Sequence, residues 1–230
     1  MASKNPLKDS GDILPLFPLP TTVFYPNTRL PLHIFEPRYR QMVADALKGK
    51  QKIGMVLLLP GWEESYFAEP PIASLGCVGD IEKHTLLEKG KYNLVLKGLN
   101  RFRIVQEIAG KPYRRAKIEL LQEINDQVLD TPHPPIKENL LKHCDQYLSM
   151  LPSGEKFKRE LNLDRCETLS HLVDLLAYRL NLTVEQKQKF LEEPDVLRRV
   201  NAIHSAISVK IDLINLSRMQ IRPDTDFNLN

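Results

Sequence analysis

The feature that most constrains the fold is a proline-rich opening segment, residues 13–40, where apolar residues separate six of the chain's seventeen prolines. Proline fixes φ at about −65° and disfavours helix in the residue before it, so no helix can begin before Pro37. Leu30, Leu32 and Ile34 alternate with other residues at the period of a strand with one inward face. After Pro37, apolar residues recur at helical spacing until Gly49. The segment therefore predicts strand, bend, strand and helix.

Composition changes near residue 125. Nine of the ten glycines precede residue 111, and the proline-dense stretch 130–135 is typical of a linker. Before the change, apolar runs at 52–59, 75–83 and 113–121 predict strands. Residues 92–96 and 101–105 alternate on either side of 97–100, which predicts a hairpin.

Beyond the linker the apolar period is that of helices. One stripe covers 136–151 and a second covers 169–180. Thr183 and Gln186 have the spacing of a capping box, so a short helix should begin at Thr183. Pro194 should open the longest helix, whose stripe runs to Ile214. No helix is apolar all round, so we expect the stripes to face one another in an antiparallel bundle.

An ordered series of apolar, proline and glycine positions in the first half resembles the amino-terminal, substrate-binding domain of the Lon protease family. Its members are LPLFPL (14–19), VFYP (23–26), LPL (30–32), EPRY (36–39), IGMV (53–56), LGCVGDI (75–81) and LKGLNRFRI (96–104). The last run corresponds to a hairpin in that family. A looser likeness over 169–214 extends the resemblance to most of the chain.

Residues and resemblance together predict an α+β protein of two domains. Residues 1–125 should form a twisted β-sheet or pseudo-barrel with one helix, and residues 126–230 an antiparallel helical bundle. The resemblance implies that the barrel is PUA-like, a type also found in RNA-binding proteins. Full Lon proteases continue into ATPase and protease domains, and neither activity can be transferred to this chain.

Charge, cysteines and apolar runs exclude several classes of protein. The formal net charge of +3 is small for a dedicated nucleic-acid binder. Three scattered cysteines do not suggest a disulfide framework or a zinc site. The longest apolar run, 53–59, is too short for a membrane helix, and the first twelve residues lack the apolar core of a secretory signal. We therefore expect a cytoplasmic protein that does not enter a membrane.

The sequence contains no recognisable catalytic, phosphate-binding or metal-binding motif, so we expect no enzyme activity, no cofactor and no metal. His143 and Cys144 are an adjacent base and thiol, but neighbours on a helix diverge by about 100°. His33 could be a metal ligand or an exposed strand residue. The basic residues Lys111, Arg114, Arg115 and Lys117 could contact phosphates or simply occupy an exposed strand face.

The functional interpretation depends on two groups of aromatic residues that could bind apolar polypeptide. These residues are Phe17, Phe24, Tyr25 and Phe35 in the opening segment and Trp62, Tyr66 and Phe67 in a later loop. Core packing is the alternative for the first group. The leading hypothesis is a non-enzymatic module that binds unfolded or apolar segments or a partner protein such as an ATPase or protease. RNA binding by the β domain is the second hypothesis, and a cryptic hydrolase is the third.

Overall fold

The computed structural model describes residues 13–65, 69–127, 135–161, 163 and 166–220. Within these ranges the chain contains six strands and six α-helices, which confirms the predicted α+β class. The strands are β1 (Ile13–Leu19), β2 (Arg29–Ile34), β3 (Lys52–Leu58), β4 (Ile72–Leu86), β5 (Tyr92–Glu107) and β6 (Arg115–Leu120). The helices are α1 (Pro37–Lys48), α2 (Pro135–Ser149), α3 (Gly154–Leu161), α4 (Leu169–Arg179), α5 (Val184–Glu192) and α6 (Val196–Gln220).

Five of the strands close into a barrel. The sheet order is β2-β5-β4-β3-β1-β6, and β6 also pairs with the second half of β5, which closes the ring. The pairing of β1 with β3 is parallel and the other pairings are antiparallel. Strand β2 lies outside the ring and pairs only with the first half of β5 in the described sheet.

The barrel interior is filled by apolar side chains from all five strands of the ring. A central cluster contains Leu14, Leu16, Val56, Val78, Phe102, Ala116 and Ile118, each at most 4% exposed. At 25 cal/mol per Å² or so, such burial is the main favourable contribution to folding. The cluster explains why the opening segment is so apolar, since β1 supplies two of its members.

The predicted order of strand, bend, strand and helix in the opening segment is confirmed. Helix α1 begins at Pro37, whose missing N–H is unneeded at a first helical position. Its buried residues are Tyr39, Met42, Val43 and Ala46, the stripe that the sequence contains at helical spacing. Gly49 follows the last residue of the helix and donates its backbone N–H to the carbonyl of Ala46.

The predicted hairpin at 92–105 is wrong, because these residues form one continuous strand, β5. Gly98 does not turn the chain. Its N–H donates to the carbonyl of Thr28, and its own carbonyl accepts from Asn27. A Cβ atom at Gly98 would lie 1.9 Å from the carbonyl oxygen of Tyr25, so glycine is required there for close approach of two backbone segments.

Most helix boundaries follow the sequence signals. The capping box is complete: Thr183 Oγ1 accepts from the N–H of Gln186 at 3.2 Å, and Gln186 Oε1 accepts from the N–H of Thr183 at 2.9 Å. Helix α6 begins two residues after Pro194, because Asp195 Oδ1 accepts from the N–H groups of Leu197 and Arg198. Helix α3 was not predicted, since it is short and its first residue is a glycine.

The described chain groups into two compact units that differ from the predicted division. The barrel unit contains residues up to Ile124 and also Asp174–Pro194, which the sequence assigned to the helical domain. The helical unit contains Asn125–Val173 and residues from Asp195 onward. The boundary therefore falls inside α4, and independent folding of 1–125 and 126–230 stays a prediction.

A buried ion pair holds the returning segment in the barrel unit. Arg101 of β5 and Asp174 of α4 are 2% and 1% exposed, and the two guanidinium Nη atoms donate to the carboxylate at 2.6 and 2.9 Å. Arg101 also donates to Glu123 at 2.6 Å and to the carbonyl of Leu191 at 3.0 Å. Burial alone would lower the pKa of Arg101, but the charge and hydrogen bonds of Asp174 outweigh it, so that pKa is raised.

In the helical unit, α2 and α3 form an antiparallel pair, in which Lys158 Nζ lies 2.5 Å from Asp145 Oδ1. Contacts between α2 and α6 advance in the same direction along both helices, from His143 with His204 to Met150 with Arg218. The facing apolar stripes are buried as expected. They consist of Leu140, Cys144, Tyr147 and Leu148 on α2 and Val200, Ile203, Ile207 and Ile211 on α6.

Candidate functional site

The seven aromatic residues singled out by the sequence divide by exposure. Phe17, Phe24 and Tyr25 are at most 6% exposed and belong to the core. Phe35 is 58% exposed and Trp62 is partly exposed. The remaining two, Tyr66 and Phe67, lie outside the described residues. Within the opening segment, Phe35 is therefore the aromatic residue that can contact a ligand without rearrangement of the core.

Specific contacts explain why the other aromatic residues are inside. The ring centroid of Phe17 lies 4.5 Å from that of Tyr39 on α1. Tyr25 donates its hydroxyl to the carbonyl of Lys187 at 2.5 Å, which links the opening segment to α5. A buried tyrosine with a satisfied hydroxyl is a structural residue, so the core alternative accounts for it.

Phe35 lies at one end of a three-stranded ribbon made of β2, the first half of β5 and the second half of β4. Opposed residues on antiparallel strands turn their side chains to the same face. Here Pro31 opposes Val95, which opposes Lys83, and the next outward row joins His33, Asn93 and Thr85. We call this side the outer face. Its residues are Arg29, Pro31, His33, Phe35, Lys83, Thr85, Asn93, Val95 and Lys97.

The outer face is exposed, and only Val95 among its residues is partly buried. Leu94 and Leu96, which alternate with it on β5, are at most 3% exposed and pack toward the core. A cavity of about 550 Å³ lies on the ribbon, and six of its nine lining residues belong to the outer face. One side of the ribbon thus packs toward the core, and the other side is exposed to solvent.

Two rings and two apolar residues form a strip along this surface. The centroids of His33 and Phe35 are 6.1 Å apart with their planes 24° from parallel. His33 Nδ1 lies 2.7 Å from Asn93 Oδ1, which fixes the imidazole ring beside Phe35. Pro31 and Val95 continue the apolar strip along the ribbon. His33 is thus an exposed strand residue held by an amide, as the alternative to a metal ligand predicted.

Positive charge borders the apolar strip. Arg29 donates twice to Glu82, each at 2.8 Å, so its charge has a matched partner. These hydrogen bonds lower the pKa of the Glu82 carboxyl, and the charges of Arg29, Lys83 and Lys97 lower it further. Neither Lys83 nor Lys97 forms an ion pair with any residue in the described ranges. The surface therefore carries two unmatched ammonium groups.

The open edge of β2 offers little backbone for pairing. Gly98 bonds to Asn27 and Thr28, so by alternation Leu30, Leu32 and Ile34 direct their backbone groups toward β5. Arg29, Pro31 and His33 then direct theirs outward, where the carbonyl of Arg29 already accepts from the hydroxyl of Tyr178 at 3.3 Å. Pro31 has no N–H to donate. Side chains of the outer face, rather than the strand edge, must supply most contacts.

A second cavity of about 550 Å³ lies between the start of α1 and the loop joining β5 to β6. Two of its cations are already paired with carboxylates. Arg114 donates to Glu107 at 2.8 and 2.5 Å, and Lys111 donates to Asp45 at 3.0 Å. Two of the four basic residues at 111–117 are therefore neutralised by carboxylates, and Arg115 donates to the carbonyl of Ala109, which weakens the case for a phosphate site.

The adjacent base and thiol on α2 do not form a catalytic pair. Cys144 is 3% exposed, and burial raises its pKa to about 12, so it is a thiol at neutral pH. His143 instead meets His204 of α6, with the two Nδ1 atoms 2.9 Å apart.

Over the ranges given above, no three His, Cys, Asp or Glu side chains are grouped to hold a metal. None of the described helices could span a membrane.

The histidine pair predicts a pH dependence of stability. Burial lowers the pKa of His204, and the charge of His143 lowers it further. A lowered folded-state pKa means that the stabilising contribution is complete above the unfolded pKa of about 6.5 and is lost as pH falls through the folded value. Because both rings are partly exposed, the loss should be below about 1 kcal/mol. Urea denaturation should show that acidification from neutral to mildly acidic pH lowers the stability of His204→Asn less than that of the unsubstituted protein. An equal loss in both proteins would contradict the assignment of this pH dependence to the histidine pair.

Sequence reasoning found Phe35 and His33 but missed the residues beside them on β4 and β5. Lys83, Val95 and Lys97 are distant in sequence from β2, and only the pairing of strands brings them together. A weak signal exists, since Asn93, Val95 and Lys97 alternate with leucines along β5. The register with β2 cannot be obtained from that alternation alone.

Comparison with known proteins gives a consistent result. The family model of the ATP-dependent protease La (LON) substrate-binding domain matches residues 13–209. Lon protease of Dictyoglomus thermophilum is 27% identical over 93% of this chain, and Lon protease of Anaeromyxobacter dehalogenans is 29% identical over 91%. The chain spans 26% and 25% of the lengths of these two relatives.

Two solved structures share the fold. The N-terminal domain of Mycobacterium avium complex Lon protease has a TM-score of 0.63 and 20% identity, and covers 86% of this chain and 98% of its own. A Lon N-terminal domain protein from Xanthomonas campestris has a TM-score of 0.57 and 24% identity, and covers 84% of this chain and 98% of its own. At these identities the likeness concerns the fold alone.

Proposed function

Since the chain belongs to the family of Lon substrate-binding domains, we propose that it is a non-enzymatic module that binds unfolded or apolar polypeptide segments through the outer face. The observation that carries this proposal is the exposure of Phe35 beside His33, at the end of an apolar strip and cavity on a well-folded ribbon. Exposed aromatic side chains on a rigid scaffold are common anchors for a partner chain.

The proposed binding should be weak. Burying a few hundred Å² of apolar surface gains several kcal/mol at about 25 cal/mol per Å², and the entropy of association offsets much of this gain. The strand edge adds little, because Pro31 cannot donate and Tyr178 already occupies the carbonyl of Arg29. We therefore expect micromolar or weaker affinity, with little dependence on a unique sequence.

Replacing Phe35 by alanine should weaken binding of a permanently unfolded, apolar-rich polypeptide. The side chain is already half exposed, so its contact with a ligand is worth about 1 kcal/mol, or about a fivefold rise in Kd. Fluorescence anisotropy of the labelled polypeptide measures the change. The matched control is Val105→Ala, since Val105 is also an exposed apolar residue of β5, 64% exposed and outside the outer face. Equal effects of the two substitutions would contradict the assignment.

RNA binding is the second candidate, and one observation favours it. The ring pair of His33 and Phe35 shares a face with Lys83 and Lys97, and aromatic rings beside cations also suit single-stranded RNA. With two unmatched lysines, few phosphates could be neutralised. Binding of poly(U) that is lost at high salt, with no binding of the polypeptide, would replace the first proposal by this one.

The remaining parts of the proposal concern the setting in which the module acts. We propose that it works in the cytoplasm and passes bound segments to a separate ATPase or protease. The matching family model is that of the substrate-binding domain and not of the protease domain. The thiol of Cys144 is buried and protonated, so we assign it no catalytic role. Trp62 stays a second candidate contact, because it is partly exposed.

A further inference from the structure

We infer that the outer face prefers polypeptide segments that carry an acidic residue about four positions from an aromatic or large apolar one. This inference rests on the proposed function and names the class of segment that the same surface selects. It follows from the unmatched charges of Lys83 and Lys97 and from their placement relative to Phe35.

The charge balance of the surface is the first step. Arg29, Lys83 and Lys97 surround one carboxylate, Glu82, which is held by two hydrogen bonds from Arg29. Asp80 of β4 opposes Lys97, but its carboxylate is paired with Lys52 at 3.1 Å, so its charge is already offset. A ligand that places one or two carboxylates near Lys83 and Lys97 would offset the excess positive charge of this surface, whereas a ligand with lysines there would be repelled.

The spacing is the second step. Lys83 opposes Val95, which opposes Pro31, and Pro31 is four residues before Phe35 along the β2 direction. At about 3.3 Å per residue, the aromatic end and the Lys83 row are about 13 Å apart. An extended segment lying along the ribbon covers that distance in about four residues. Lys97 lies two residues farther along and reaches a second acidic side chain or the same one.

A polypeptide fits these features better than RNA. Two unmatched ammonium groups neutralise at most two phosphates, which gives a shallow salt dependence with a slope of about −1.4. Glu82 lies between the lysines and would repel a continuous phosphate backbone. A segment with an isolated carboxylate and an apolar anchor avoids that carboxylate and still covers the apolar strip of Pro31 and Val95.

The test compares two labelled short peptides with the same phenylalanine and leucine residues, one with aspartates four positions from the phenylalanine and one with lysines there. The whole chain should bind the acidic peptide about three- to tenfold more tightly, because exposed ion pairs contribute about 0.2–1 kcal/mol each. The double variant Lys83→Gln/Lys97→Gln should reduce the ratio to about one. Raising salt from about 50 to about 500 mM should reduce it as well.

Lys117→Gln is the matched control, because Lys117 is an exposed lysine of β6 outside the outer face. Retention of the preference in this variant supports the inference. Equal binding of both peptides that still depends on Phe35 would overturn the inference and leave the proposed function standing. No binding of either peptide would overturn both, and binding of poly(U) that is lost in the double lysine variant would assign the surface to RNA.

Discussion

Substitution of Asp174 by alanine is expected to lower the free energy of unfolding by about 3–5 kcal/mol. The substitution leaves the Arg101 guanidinium buried at 2% exposure with two of its hydrogen bonds removed. Glu123 and the carbonyl of Leu191 remain as partners, but Glu123 is 25% exposed and cannot replace a fully buried carboxylate. Urea denaturation followed by circular dichroism measures the change through the midpoint of the barrel transition.

The control for this prediction is Asp145→Ala, which also removes an aspartate from an ion pair on a helix. Asp145 and Lys158 are 55% and 48% exposed, so that loss should stay below about 1 kcal/mol. A second variant tests the cause. If the cost arises from an unpaired buried charge, Arg101→Met combined with Asp174→Leu should be more stable than Asp174→Leu alone. A double variant as unstable as the single one would show that the charge is not the cause.

Substitution of Gly98 by alanine has the second-largest expected effect, a loss of about 3 kcal/mol or more. The added Cβ would lie 1.9 Å from the carbonyl oxygen of Tyr25 and 2.8 Å from its carbonyl carbon. That carbonyl cannot move easily, because the Thr28 hydroxyl donates to it at 2.7 Å. Relief of the clash would require separation of β5 from the bend before β2.

Gly79 provides the comparison, because it lies directly opposite Gly98 on β4. The three atoms nearest to an added Cβ there would be side-chain atoms of Leu96 and Phe24, each at 3.1 Å, so a shift of a few tenths of an ångström relieves the contact. Gly79→Ala should therefore cost clearly less than Gly98→Ala in the same denaturation experiment. A reversed order would mean that the strand, and not the close backbone approach, limits stability.

Local features of the fold were predictable because short-range chemistry determines them. Pro37 and Gly49 mark the two ends of α1, and Thr183 with Gln186 marks the start of α5, by interactions within four residues. The prediction of a hairpin around Gly98 was wrong because the requirement for glycine at this position comes from a distant part of the chain. A turn and a close backbone approach both require a missing Cβ, and the second depends on Thr28, seventy residues away in sequence.

Only part of the outer face could be predicted from the sequence, because the rest depends on contacts between distant residues. Sequence reasoning identified Phe35 as a possible contact, but it could not separate Phe35 from Phe17, Phe24 and Tyr25, which have similar neighbours in the chain. Their burial depends on packing against α1 and α5. The role of Lys83 and Lys97 depends on the strand register that places them beside Val95, and two register shifts between β4 and β5 alter that register.

The grouping of Asp174–Pro194 with the barrel has a consequence for the order in which the chain is made. By the time residue 125 has been synthesised, all six strands exist, yet the carboxylate that neutralises Arg101 and the backbone that accepts from Tyr25 do not. The barrel can form these two interactions only after about seventy more residues have been synthesised, which is nearly all of the helical chain before α6. A protein whose first strands are completed by a late helix cannot mature strictly from its amino terminus.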